Sequence, residues 1–351
     1  MKILIDIGHP CQVHFFRNLI FLLEKKGHKV LVTSKKKDIT EKLLQLYKIN
    51  YKQIGTSQIG ILKKIIFFIK DEIEVFKIAK AFRPDLFISK CSLTYGHIST
   101  LFRKPHIILG VDSEVVKYMH SITFPFSDLI AVPSCYYAKN VPIKKLRIFE
   151  SYKELAYLHK NYFKPDSSIF KILGLEKDSP FVIIRLVSWQ AYHDIGKVGL
   201  SDKCIKSIIK ELKEKNINVF ISSEAKLPKQ FKKYELKIPK DRFHDALYFA
   251  KMLITDSQTT TTESAVLGTP VIRSNSFVGP NDMGVFKELQ SKYHMVFNFK
   301  DSRLINKKLI ELLNKKDLDK YVRKNYIRLL NDKVDLTKWM YELLIKEKYL
   351  N

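Results

Sequence analysis

Nowhere does this chain string together the roughly twenty uncharged apolar residues that a membrane-spanning helix needs, so no transmembrane segment is expected. Its cysteines are few and scattered: Cys11, Cys91, Cys135 and Cys204 show no CxxC spacing. That excludes a zinc ribbon and a disulfide framework and fits a reducing cytoplasm. The opening MKILIDIGHP lacks the apolar core and small-residue cleavage site of a signal peptide. No GxGxxG follows the first strand, which argues against a dinucleotide cofactor, and no GxSxG elbow is present. Gly55 and Gly60 have the spacing of a P-loop, but Ile61-Leu62 stand where lysine and a hydroxyl residue are required. The DxD at Asp317-Leu318-Asp319 lies in a lysine-rich tail rather than on a strand-end loop, so no metal is expected. Acidic residues are scarce, 36 against 62 basic ones, for a net charge of +26. Such an excess draws polyanions: nucleic acid, anionic lipid or phosphorylated substrates. Most of it is dispersed lysine, without arginine clusters or aromatic platforms, so no nucleic-acid partner is expected. An AT-rich genome writes the same Lys-, Ile- and Asn-rich composition.

What is present is a globular chain of 351 residues, 46% hydrophobic and 28% charged, long enough for two domains. Strands and helices alternate: strands at 2–6, 29–33, 86–89, 106–110 and 129–133, helices at 14–26 and 38–47. A long amphipathic stretch fills 59–82. The pattern breaks between 149 and 180, where a linker is expected. A second cycle then runs through strands at 181–186, 219–222, 253–256 and 271–273 and helices at 202–215, 244–251 and 262–267. This rhythm implies an α/β protein with two Rossmann-like domains, 1–160 and 175–330. Their parallel sheets are expected to face an interdomain cleft. Residues 331–351 form a last helix packing back across the domains.

Ligands of open α/β sheets sit beyond the carboxyl ends of the strands, which selects the loops worth reading. The stretch LITDSQTTTTESAVLGTPVIR carries most. A strand ends in Asp256-Ser257, and Thr259, Thr260, Thr261 and Thr262 lead to Glu263. Hydroxyls at a helix N-terminus cradle phosphate through free N–H groups and the helix dipole, and Glu263 can reach a ribose. A plainly capped helix writes the same residues. After the first strand, Gly8 permits close backbone approach, and His9, with His14 behind it, can act as a base or cap the helix. Asp112 and Glu114 follow the strand at 106–110, as a base, as ligands for sugar hydroxyls or as an N-cap pair. Arg185, near the end of an apolar strand, calls for an anion, and Ser188 follows it. Ser222, Ser223 and Glu224 end another strand, and His244 opens a helix. The basic, aromatic stretch 59–82 suits either an anionic membrane surface or packing on the sheet.

These blocks, together with residues 123–136, 150–159 and 181–194, resemble the DUF354 family over nearly the whole chain. That family is grouped with the GT-B fold, shared by nucleotide-sugar glycosyltransferases and non-hydrolysing UDP-N-acetylglucosamine 2-epimerases. The resemblance implies nucleotide-sugar binding in the second domain, with Ser257 on phosphate and Glu263 on ribose. The epimerases' catalytic aspartate falls near Ser89–Ser92, where SKCS has no carboxylate, and Glu114 lies near one of their glutamates. The expectation is therefore a metal-independent GT-B glycosyltransferase. It moves sugar from a UDP-linked donor to a glycan or lipid-linked acceptor, as surface-polysaccharide synthesis requires, with no other cofactor. His9 or Asp112 would be the base, in the cytoplasm or at the inner membrane face. Epimerisation or hydrolysis of a nucleotide sugar, and a non-enzymatic basic nucleic-acid-binding protein, are the alternatives.

Overall fold

The computed structural model describes residues 1–36, 39–56, 61–114, 117–137, 141–187 and 199–350, with backbone alone for 61–66 and 117. The chain divides into two compact units: unit 1 is Met1–Tyr162 with Val334–Asn351, and unit 2 is Phe163–Lys333.

Unit 1 holds a seven-stranded parallel sheet. Its strands are β1 (Lys2–Ile7), β2 (Lys29–Lys36), β3 (Tyr51–Thr56), β4 (Leu86–Ser89), β5 (His106–Leu109), β6 (Leu129–Pro133) and β7 (Leu146–Phe149). Between them run α1 (Pro10–Lys25), α2 (Thr40–Leu46), α3 (Ile61–Phe82), α4 (Leu93–Phe102) and α5 (Lys117–Thr123). Ile3, Leu4, Ile5, Phe87, Ile88, Ile107 and Ile108 are completely buried, which is why these strands read as unbroken apolar runs rather than alternating ones. Helix α1 starts where it does because extended His9 caps it and Pro10 presets its first turn. Its buried Val13, Phe16, Ile20 and Leu23 fall on one face at helical spacing. In the order β3-β2-β1-β4-β5-β6-β7 the direction of winding reverses between β1 and β4. In open α/β sheets such a reversal is where ligands bind. The 59–82 stretch forms α3, whose Val75 and Ala79 are buried with Leu4, Phe87 and Ile98. Packing on the sheet therefore explains that part of its apolar pattern.

Unit 2 contains α6 (Ile169–Ile172), β8 (Phe181–Leu186), α7 (Asp202–Glu214), β9 (Asn218–Ser223), α8 (Phe243–Phe249) and β10 (Met252–Thr255). These are followed by α9 (Gln258–Val266), β11 (Val271–Ser274), α10 (Gly284–Ser291), β12 (Val296–Phe299), α11 (Leu304–Leu313) and α12 (Leu318–Asp332). The five strands are parallel in the order β12-β11-β10-β8-β9, so this sheet reverses between β8 and β10. Helix α7 buries Ile205, Ile208, Ile209 and Leu212, the i, i+3, i+4, i+7 stripe of a helix lying on a sheet. The last helix, α13 (Leu336–Lys346), returns to unit 1. There Thr337 donates to the Ala156 carbonyl at 2.8 Å and Arg147 holds Glu347 through two nitrogens at 2.6 and 2.8 Å.

One element departs from the sequence reading in a way that bears on function. Helix α9 begins at Gln258, four residues before the expected start at 262, so the threonine run is helical. Ser257 caps it by accepting from the Thr260 amide at 3.3 Å, and the Thr261 hydroxyl donates to the Ser257 carbonyl at 2.6 Å. Threonine tolerates a helix when its hydroxyl bonds back to the preceding turn in this way. Among the described residues no helix is long and apolar enough to cross a membrane.

Candidate functional site

The reversal point of the unit 2 sheet is tied together by hydrogen bonds. The Thr255 hydroxyl donates to the Arg185 carbonyl at 2.8 Å and accepts from the Ser257 amide at 2.9 Å. Asp256 is buried and accepts from the Val187 amide, just past β8, at 2.9 Å and from the Leu200 amide, just before α7, at 3.3 Å. Ser188, expected on that loop, lies outside the described residues. Above this frame stands the amino end of α9, where among the described residues no acceptor takes the N–H of Gln258 or Thr259. Both residues are partly exposed, while Thr260, Thr261, Thr262 and Glu263 are buried. An anion over this end therefore meets two backbone donors, the Ser257–Thr259 segment and the positive pole of the helix. The hydroxyl of Thr261 is bonded back inside the helix, so its expected phosphate role becomes a structural one.

Two other expected residues are brought together here: His244, in the first turn of α8, lies 3.1 Å through Nε2 from the Glu263 carboxylate. Arg185 corrects its sequence reading. Its anion is supplied by the protein, since Nη2 meets Glu224 at 2.8 Å and Nη1 donates to Ser222 at 2.9 Å. Ser223 ends β9 opposite Leu186, in register with this group. The buried Arg273 was missed in the sequence. It pairs with Asp282 at 2.6 Å, donates to Asn298 at 2.9 Å and lies 3.7 Å over the Phe286 ring. Asn275 in turn donates to the Asp256 carbonyl at 2.9 Å, so this buried set braces the strand end carrying the site.

In unit 1 the expected residues divide differently. Gly8 donates to the Gln12 side chain at 2.6 Å, and His9 caps α1 by accepting from the Cys11 amide at 3.3 Å. His14 packs against Tyr157 and Tyr47, with ring centres 5.3 and 5.8 Å away. Glu114 accepts from the Tyr137 amide at 3.2 Å. Asp112 is buried between Lys153 at 2.6 Å and Lys90 at 2.8 Å. Burial alone would raise its pKa, but the two ammonium groups hold the carboxyl far below the usual carboxylate range. A carboxylate held that firmly in its charged form is a poor proton acceptor, which removes Asp112 from the role of base.

The carboxyl suited to that role is one the sequence reading passed over. Asp6 lies between buried Ile5 and Ile7 near the carboxyl end of β1, at the reversal point of the unit 1 sheet. It is half-buried and accepts from the Thr33 hydroxyl at 3.5 Å. The Thr33 hydroxyl also meets the buried Tyr95 hydroxyl at 2.8 Å. Burial raises the Asp6 pKa to about 6, against the opposing pull of Lys35, Ser92 and Thr33. The signal in the sequence was an aspartate inside the run ILIDI, expensive in a buried strand unless it has work there. Among the described residues no group of three His, Cys, Asp or Glu side chains could hold a metal ion.

These environments predict a pH effect on stability. Buried His106 and His120 have pKa values lowered to about 4, in both cases chiefly by desolvation. Between pH 4 and 6.5 the unfolded chain binds protons on both imidazoles that the folded protein excludes, so stability falls on acidification through that window. Asp6 acts oppositely, because its folded carboxyl keeps a proton between pH 3.8 and about 6 that the unfolded one releases. Two imidazoles outweigh one carboxyl. The expected net loss between neutral pH and the low end of the window is on the order of 4 kcal/mol. Thermal melting across that range should show a falling midpoint; a flat or rising midpoint contradicts the assignment of these histidines as neutral.

Comparison with known proteins places this geometry in context. A family model described as "Protein of unknown function (DUF354)" matches residues 1–343. An uncharacterized protein of Methanocaldococcus jannaschii is 26% identical over 314 residues, covering 87% of this chain and 90% of that protein. The UDP-GlcNAc 2-epimerase from Neisseria meningitidis bound to UDP-GlcNAc superposes with a TM-score of 0.70 at 14% identity, covering 99% of this chain and 100% of that one. Spinosyn rhamnosyltransferase complexed with spinosyn aglycone gives 0.62 at 12% identity, covering 98% and 100%. At such identities these likenesses establish the GT-B fold and nothing finer.

Proposed function

Since the chain belongs to the DUF354 family, a family without an assigned activity, we propose from the geometry that it is a metal-independent GT-B glycosyltransferase using a UDP-linked sugar. The observation that carries this reading is the amino end of α9 at the reversal point of the unit 2 sheet, with two unclaimed backbone donors. In this reading the donor's diphosphate rests over Gln258 and Thr259, and Glu263, oriented by His244, binds the ribose. Unit 1 contributes proton transfer. Within unit 1, Asp6 is the carboxyl suited to take the proton of a hydroxyl on a glycan or lipid-linked acceptor, whose oxygen bonds to the anomeric carbon. The anomeric carbon–oxygen bond breaks, and the departing diphosphate's charge is met by the α9 donors and dipole. UDP is proposed as the nucleotide because it is part of the ligand in the Neisseria meningitidis structure.

A second reading, epimerisation or hydrolysis of the nucleotide sugar, draws support from one register. Asp6 follows Ile5, which pairs with Ile88, and so supplies a carboxyl beside the β4 strand end that SKCS itself lacks. Epimerisation by a two-base route needs a second proton-handling acid beside it, and Asp112 is locked in ion pairs. Transfer needs one base, which favours it. Incubation with UDP-N-acetylglucosamine, with and without a mixture of glycan acceptors, separates the two. UDP release only with acceptor is the expected result, and a C2 epimer or free sugar without acceptor overturns the transfer reading.

A further inference from the structure

We propose that the outer face of α4 and α5 docks unit 1 on an anionic phospholipid bilayer. At the amino-terminal edge of the sheet lies a groove of about 650 Å³, whose lining includes Arg103, Lys104, Lys145, Pro125, Phe126 and Asp128. Three cations face one carboxylate, and that carboxylate already accepts from the His106 amide at 2.8 Å. Lys145 is held over the turn by donating to the Phe124 and Pro125 carbonyls at 3.3 and 3.0 Å. Arg103 is exposed at the carboxyl end of α4, and Lys104 reaches Asp85 only at 3.8 Å. The groove is thus a net cationic surface.

Its apolar surroundings distinguish it from an ordinary lysine-rich face. Leu101 is 65% exposed, Ile122 47%, Met119 46% and Phe126 37%. Met119 and Ile122 lie three apart on α5, one side of a helix, and Phe126 follows directly after it. Phe126 is seated on α4, its ring 4.7 Å from that of His97, and it also lines the groove, so this ring and the groove share one support. An acidic protein partner would satisfy the cations, and an apolar one the four side chains. A bilayer boundary presents both in layers, phosphates outside and acyl chains within. The net charge of +26 draws the protein to such a surface before any specific contact forms.

The test is co-sedimentation of the full chain with vesicles of phosphatidylcholine alone and of phosphatidylcholine mixed with phosphatidylglycerol. Binding is expected to the mixed vesicles only, weakening as salt rises. Arg103→Gln and Lys104→Gln should each lower the partition coefficient about fivefold. Met119→Ser with Ile122→Ser should lower it further at every salt concentration. Both pairs lie on the surface, and unchanged melting temperatures confirm folding. Lys203→Gln with Lys206→Gln, exposed on α7 of unit 2, serves as the charge control. The proposal is overturned by no binding to mixed vesicles, or by equal losses from the α7 control. It is also overturned if inorganic phosphate raises the melting temperature through Arg103 while vesicles leave the protein in solution.

Discussion

Asp6→Asn is expected to lower the transfer rate, kcat, by about 10²- to 10⁴-fold, the range over which a positioned general base contributes. The substitution is nearly isosteric and keeps an acceptor for Thr33, so the fold should survive it. Because Asp6 belongs to unit 1 and the proposed diphosphate contacts to unit 2, affinity for UDP should not change. The pH profile gives a second readout. A base must be deprotonated to act, so activity of the parent protein should rise with pH through about 6, the value to which burial lifts this carboxyl. That limb should vanish in the variant. A kcat within a few-fold of the parent, or an acidic limb that persists, would take Asp6 out of the reaction.

The second large effect concerns stability. Arg273→Leu removes a fully buried cation and leaves Asp282, itself buried, without its partner. Breaking a buried ion pair from one side costs about 3–5 kcal/mol, because the remaining charge stays desolvated. For a unit of this size that corresponds to a fall in melting midpoint on the order of 10 °C. The double variant Arg273→Leu with Asp282→Leu should recover a large part of the loss, since two apolar side chains leave no orphaned charge. If the single variant melts like the parent, the pair is not the brace described above.

The central strands and most helices of both units were legible in the sequence, because a parallel strand buried on both faces cannot hide its apolar run. β4, β6 and β8 occupy the expected residues. The strands that were missed, β3, β7 and β12, are all at sheet edges. An edge strand pairs on one side only and needs less apolar surface, as LRIF in β7 illustrates with only Phe149 buried. The strand end and helix amino end on which the diphosphate is proposed to rest were legible too, from a strand running into Ser257 and a helix. Its details were not. The threonine run looked like a loop, since propensity disfavours threonine in helices, yet the serine cap and the back-bonded Thr261 hydroxyl settle it as helix. The sequence offers Asp112 as a base, a ligand for sugar hydroxyls or an N-cap, and Arg185 as a cation calling for an anion. Their partners, Lys90 and Lys153 in one case and Glu224 in the other, are distant in sequence and meet only in the fold. Asp6 is hidden in the sequence because a single carboxylate within the apolar run of β1 leaves the strand pattern intact.

The claim on which the functional account rests is that the amino end of α9 holds a diphosphate, and calorimetric titration with UDP of the variant Gln258→Pro tests it most directly. Proline is accommodated at the first position of a helix and deletes one of the two unclaimed N–H donors while leaving the melting temperature near that of the parent. The account predicts that the parent binds UDP and that this variant binds it about tenfold more weakly, the loss of one charge-assisted hydrogen bond. Equal affinity in the two proteins, or no UDP binding by the parent, would contradict it.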